Sequence, residues 1–471
     1  MRKIPGRIVR SFLAAVTLAL ASAFAWQTPA GATEPAQDES LAYAIGVQAY
    51  ISGFPLMDLY RTLWETSFDP DRGHDRTVNE YFVFDRLITS KDDWVITPNN
   101  DTIYLRAFLD LRAEPIILVI PQMGDRQYWV PVSDMRHDFD ANLSWDTVGS
   151  RGGAFALCAP GWQGVLPEGV QRIDMGTPII WTLPRIAVDG DPDLPAAVAL
   201  QKQFRLVPLS KWGAAEVARP TPDPADFPRF TRRELTDARE YFTTLNQVLR
   251  LSPRIGNPMD EAMDGWLREI GVDPATGFDW DQLSPQAQRG LERAAADAHR
   301  IIAERMPRAV PIVNNWQLAR LDKRKSGDPV IAAAAAMLGL LWNPAEISTY
   351  DIAFIDGTGK PLDGRNRYIL RYDPPPPVDG FWSATMYSAE NQLFVPNAID
   401  RYSFGDRTPG TVYGADGSIE IFLQHEEPTN PIERANWLPA PAGRFYLVTR
   451  HYSPRGQILT GDWTPPPVTA R

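Results

Sequence analysis

Apolar residues recur at helical spacing from Leu41 to Trp64 (Ile45, Ala49, Leu56, Leu59 and Leu63). That spacing predicts a helix, broken or kinked at Gly53-Phe54-Pro55 because proline removes a helical hydrogen bond. The pattern then turns strand-like, with short apolar runs at Glu114–Ile120, Gln127–Val132, Phe155–Ala159 and Pro178–Leu183, the first two separated by the turn Gln122–Asp125. Four prolines between Ala218 and Pro228 predict a stiff connector. Helices are expected at Thr231–Leu251, where Thr231 and Glu234 form a capping box, and at Glu261–Ile270, Pro285–Met306 and Pro329–Leu341. Beyond them alternation at Arg367–Tyr372, Phe381–Tyr387, Ser418–Gln424 and Arg444–His451 predicts strands parted by proline- and glycine-bearing turns. The pattern reads as a mainly β fold with helices, in the α+β class: two β-sandwich domains with a helical segment between them.

The first 32 residues change the picture of where the chain works. Arg2, Lys3, Arg7 and Arg10 precede an apolar run, Phe12–Ala25, and the small residues Ala30-Gly31-Ala32 offer a cleavage site. This is the order of a secretory signal peptide, and the run is too short to span a bilayer comfortably. Export to the periplasm or beyond is expected, with no membrane span after processing. Removing the segment takes away four positive charges and no negative ones, so the net charge falls from −11 to −15. An acidic chain without a basic stripe is a poor partner for nucleic acid. A single cysteine, Cys158, excludes an internal disulfide and is expected to pack as a small hydrophobe.

Two stretches carry a resemblance. The first runs through Thr97-Pro98-Asn99-Asn100-Asp101-Thr102-Ile103-Tyr104, Leu109-Asp110-Leu111, Gly161-Trp162 and Leu166-Pro167. It resembles the exported family catalogued as domain of unknown function 1254. The second holds Pro377–Ser383, Asn397–Gly405, Gln424-His425-Glu426 and Asn436–Pro441, and resembles its C-terminal companion, domain of unknown function 1214. The resemblance implies two tandem jelly-roll-type β domains joined by helices, with helical segments able to mediate a homo-oligomer, and no settled reaction. The expected boundaries are 1–32 for the signal peptide and 39–215 for the N-terminal β domain with its leading helix. Residues 216–345 are expected to be connector and helices, and 346–468 the C-terminal β domain.

Candidate chemistry falls into three groups. Asn99, Asn100 and Asp101 suit a turn, since Asn and Asp bond their own backbone, but they also suit a polar cluster with Tyr104 and Arg106 on the face of Thr102. Asp134, Arg136, His137, Asp138 and Asp140 are the densest ionisable group; their spacing matches no calcium loop or zinc site, so a salt-bridged loop is expected there and no metal. In the C-terminal half His425 ends a strand, Arg401 and Arg407 suit carboxylate binding, and Trp382, Trp437 and Trp463 either pack or line a trough. No nucleophile elbow, phosphate loop, dinucleotide fingerprint or His-Glu-X-X-His string occurs, and no cofactor is expected. The expectation is a cleft between domains that binds a small polar or amphiphilic molecule or glycan. If the cleft is catalytic, the reaction is hydrolysis with Asp101, Asp134 and Asp138 as carboxylate acid and base and His425 among the orienting groups. The competing expectation is a non-catalytic envelope or assembly protein whose polar strings hold its loops.

Overall fold

The computed structural model describes residues 38–72, 78–92, 97–214, 222–253, 258–320, 328–339 and 343–471. The signal-peptide expectation, residues 215–221 of the connector region, and Leu340 and Leu341 of the last expected helix lie outside them. Within the connector's proline run only a short helical turn, Pro224–Asp226, is described.

The leading helix is one continuous element, Glu39–Ser67, and Pro55 sits inside it without ending it. Asp38 caps its start by accepting from the N–H groups of Ser40 and Leu41. A proline costs about 3 kcal/mol in a helix interior. Burial of Phe54, Leu56, Met57, Leu59, Tyr60 and Leu63 outweighs that at roughly 1.5–3 kcal/mol each. Helix Pro285–Ala309 packs alongside. Glycine makes the approach possible: a Cβ on Gly46 would sit 2.8 Å from Ala294 and Leu291, and one on Gly290 would sit 2.5 Å from the carbonyl oxygen of Glu39. The Thr231 capping box forms only in part. Glu234 reaches back to the N–H and hydroxyl of Thr231, yet the next element is only a short turn, Glu234–Thr236. The helix proper is Ala238–Leu251, capped by Asp237.

The N-terminal domain is a sandwich. Its larger sheet runs in the order Phe82–Phe84, Thr102–Asp110, Ile179–Thr182, Tyr128–Asp134, Phe139–Ser144, and Arg185–Ala187 pairs with both Thr102–Asp110 and Tyr128–Asp134. The smaller has Arg205–Pro208, Ile116–Ile120, Gly153–Cys158 and Val170–Asp174. Leu105, Leu109, Leu118, Val130, Val132 and Leu157 fill the space between them. Cys158 is buried and burial pushes its thiol up, as expected of a small packed hydrophobe.

The C-terminal domain repeats the plan. Its larger sheet is ordered Ile312–Val313, Trp316–Ala319, Ser348–Ala353, Phe445–Tyr452, Trp382–Ser388, Ser403–Gly405. The smaller has Trp437–Pro439, Ile419–Gln424, Tyr368–Tyr372 and Thr469–Ala470. Strands 312–319 come from the stretch whose pattern reads as helical segment, so this sheet begins earlier in the chain than alternation alone indicates. The helices cover Phe108, Trp181, Met135 and Phe139 of the N-terminal domain in one shared apolar cluster. The architecture is α+β, as the hydrophobic pattern predicts. Among the described residues no helix is long and apolar enough to cross a membrane.

Candidate functional site

Strand alternation explains which groups meet between the domains. On Phe445–Tyr452, Phe445 and Leu447 point into the C-terminal core, so Tyr446, Val448, Arg450 and Tyr452 point out of it. Neighbouring strands add Ser383, Thr385, Tyr387, Ser403 and Tyr350 to the same outer face. On the N-terminal sheet, Ile103 and Leu105 face their own core, leaving Thr102 and Tyr104 outward beside Arg185 and Ala187. The two outer faces meet in a seam that is polar and aromatic rather than aliphatic.

The Asn99–Asp101 run stitches one half of that seam. It is a turn, for the Asn99 side-chain oxygen accepts from the N–H of Asp101 at 2.7 Å. It is also a bridge between domains. The Asn99 amide donates to the Tyr452 hydroxyl at 2.6 Å. Ser383 donates to Asp101 Oδ2 at 2.7 Å, while Ser403 donates to Asn100 Oδ1 at 3.1 Å and Asp101 Oδ1 at 3.3 Å. Arg450 lies behind the run. Its Nη1 donates to Thr385 at 2.8 Å, and its Nη2 to Tyr387 at 2.8 Å and to the carbonyls of Thr97 and Pro98 at 3.3 Å. Tyr387 in turn donates to the carbonyl of Pro98.

At the rim Arg407 lies 3.5 Å over the ring of Phe381 and bonds Asp189 at 2.8 Å and the Asp101 carbonyl at 3.1 Å. Beside it is Asp406, whose Oδ1 accepts from the N–H of Trp382 at 3.2 Å. Its carboxyl is pushed up to about 6, chiefly by its surroundings taking the place of water and further by Asp101, against the pull of the Trp382 N–H and Arg407. The residue as a whole is exposed, so the push acts on a group still in contact with solvent.

The other half of the seam is less closed. Arg185, 7% exposed, stands opposite Tyr104 across the strand pair, its guanidinium 5.9 Å from the ring centroid. Burial opposes its charge, but Tyr350, Tyr104 and Tyr452 outweigh that, with a hydrogen bond to Tyr350 contributing. No acceptor among the described residues reaches its Nε or Nη1. Tyr104 and Tyr350 keep partial exposure, yet burial pushes the Tyr104 phenol up, with Arg185 the main opposing influence. Tyr104 and Tyr350 thus keep accessible surface beside a buried guanidinium.

The remaining sequence candidates lie elsewhere. Asp134 is fully buried, about 17 Å along its strand from the seam-facing Trp129. Its Oδ1 accepts from the N–H groups of Arg136 and Asp138 at 2.8 and 2.9 Å, closing a turn in which His137 adopts φ 63°. Asp140 bonds the N–H of Gly176 at 2.9 Å. Arg106 lies over Phe82 at 5.5 Å. Arg401 donates to the carbonyls of Ala435 and Trp437, both at 2.9 Å. His425 is exposed, with Nδ1 against the Ala440 carbonyl at 2.9 Å. Trp382 is buried in the C-terminal core and Trp437 donates to the Gln424 carbonyl at 2.8 Å, so neither lines a trough. The seam thus unites Asn99, Asn100, Asp101 and Tyr104, and joins to them Arg185, Tyr350, Ser383, Ser403, Asp406 and Arg450, which pattern reading passes over. A signal for one of the two arginines exists in the sequence: Arg450 interrupts an apolar and aromatic strand, whereas Arg185 opens a short one. Among the described residues no cluster of three or more metal-ligating side chains occurs.

Comparison with known proteins agrees with this two-part plan. No curated protein matches the chain. A solved structure, the VPA0106 protein from Vibrio parahaemolyticus, is 26% identical with a TM-score of 0.70, over 91% of this chain and 100% of that one. An uncharacterized protein from Burkholderia cenocepacia aligns over 91% of this chain and 94% of its own at 12% identity and a TM-score of 0.44. Residues 78–208 match the model described as Protein of unknown function (DUF1254), and residues 348–456 match Protein of unknown function (DUF1214). The chain belongs to the family that pairs these two domains in this order.

Proposed function

We propose that this protein, once exported, binds a small polar molecule in the seam between its two sandwiches. The observation that carries the reading is the pair Tyr104 and Tyr350. They come from facing sheets of different domains, lie next to buried Arg185, and still keep accessible surface. Ligand sites favour such junctions, where a few polar groups converge among aromatic walls. The reading is of binding rather than turnover. Both Asp101 oxygens accept hydroxyl hydrogens from the other domain, which holds the domains together and leaves that carboxylate poorly placed to attack a substrate. The rival role, a purely structural seam, is favoured by the Asn99–Asp101 half alone.

The test is mass spectrometry of small molecules released on denaturing the mature protein purified from its native host. The expected result is one polar compound near stoichiometric amount, lost when Tyr104→Trp crowds the space beside Arg185. Finding the same trace compounds in both proteins would contradict the reading.

A further inference from the structure

Arg185 poses a problem of charge. Burying a guanidinium without full pairing costs several kcal/mol, and folds meet that cost with a carboxylate or a complete set of acceptors. Elsewhere in this chain they do. Arg320, largely buried, pairs with Asp351 through bonds of 3.1 and 2.7 Å. Arg61 sits between Asp58 and Glu65. Arg450 spends its donors on two hydroxyls and two carbonyls. Arg185 has neither solution: at 7% exposure its Nε and Nη1 meet no acceptor among the described residues, and its neighbours are the phenols of Tyr104, Tyr350 and Tyr452.

The charges around it fix the sign of what is missing. Arg407 is matched by Asp189. Asp101 is among the groups that act on Arg450, and Asp406 lies beside Arg407. The groups that act on Arg185 are phenols and include no carboxylate, so among these arginines it is the one without a counter-ion. We propose that the seam is the receptor for a small organic carboxylate, one of whose oxygens takes a hydrogen of Arg185 Nε or Nη1 as the rings of Tyr104 and Tyr350 move apart to admit its body. A monoanion matches the single charge of Arg185, whereas a phosphate dianion exceeds it by one. The flat rings favour a ligand with an apolar or unsaturated portion. This inference rests on the binding reading above and names the class of ligand.

Thermal unfolding of the full mature chain with benzoate, benzamide or inorganic phosphate at matched ionic strength tests it. Benzamide keeps the shape of benzoate and drops the charge. Benzoate is expected to raise the Tm saturably by a few degrees, with benzamide and phosphate well behind. Arg185→Gln should weaken benzoate roughly tenfold or more and bring it level with benzamide, because a hydrogen bond to a charged group has been lost. Arg185→Lys keeps the charge, should recover part of the preference, and serves if the glutamine variant does not fold. Equal shifts from benzoate and benzamide would overturn the carboxylate and leave the binding reading standing. Phosphate acting alone would overturn it in favour of another oxyanion. No shift from any probe would overturn both readings.

Discussion

The two halves of the seam are built from the same materials and end in different states. One half places Arg450 among Thr385, Tyr387 and the Thr97–Pro98 backbone, with Asp101 and Asn99 bonded across to Ser383, Ser403 and Tyr452. The other places Arg185 among Tyr104, Tyr350 and Tyr452 with two donors to spare. Both arginines are buried on strands that face the other domain. What separates them is satisfaction: a buried polar group with every bond made adds rigidity, and one with bonds to spare waits for a partner. The first half is therefore read as architecture and the second as receptor.

The contrast breaks most visibly at Arg450. Arg450→Met takes a donor away from hydroxyls and carbonyls of both domains and should cost about 3–5 kcal/mol, seen as a lower urea midpoint. A loss under about 1 kcal/mol would mean the stitched half is not holding the domains. Next comes Asp101→Ala, expected to cost about 2–3 kcal/mol as hydrogen bonds to a charged group disappear. A double-mutant cycle with Ser383→Ala should return a coupling of about 1–3 kcal/mol, and additive effects would deny the bridge.

Arg185 should behave in the opposite sense. Arg185→Met removes unmatched donors from the interior and should stabilise the ligand-free protein by about 1–2 kcal/mol in chemical denaturation. Destabilisation comparable with that of Arg450→Met would make the two halves alike and end the distinction.

A smaller effect sharpens the picture of the rim. The carboxyl of Asp406 is raised from 3.8 to about 6 in the folded protein. The folded state therefore holds that proton more tightly, and the stabilisation it provides is present below pH ~4 and lost as pH rises through ~6. Asp406→Asn should match wild type near pH 4 and exceed it at pH 7–8. The shift nominally corresponds to about 3 kcal/mol, and an exposed group keeps about 1 kcal/mol of that after solvent screening. Parallel pH–stability curves for the two proteins would contradict this assignment. At the bottom of the scale, His425→Ala should change stability by less than about 0.5 kcal/mol, since its exposed ring makes one bond to a backbone carbonyl.

Much of this architecture is legible from residue pattern, and the gaps have physical causes. Alternation locates the strands at Tyr368–Tyr372 and Phe445–Tyr452 to within a residue or two because one face of each packs on a core. The polar string Asn99–Asp101 stands out for its composition, and it lies at the seam. Pro55 misleads because a local penalty counts for less than burial of the surrounding helix. Thr231 and Glu234 form half their capping box around a tighter turn, while Asp237 takes the cap. Asp134–Asp138 looks as rich in chemistry as Asn99–Asp101, yet composition cannot say that Asp134 spends an oxygen on its own turn. Arg185 and Arg450 escape pattern reading because each belongs to a pairing across domains that exists only once the sheets face each other.

The central claim is that Arg185 awaits a carboxylate in the seam, and a crystal structure of the mature protein grown with benzoate tests it most directly. The account predicts benzoate between the two larger sheets, an oxygen within hydrogen-bond distance of Arg185 Nε or Nη1 and the ring against Tyr104 or Tyr350. Benzoate bound only outside the seam, with Arg185 paired to a carboxylate of the chain itself, would contradict it.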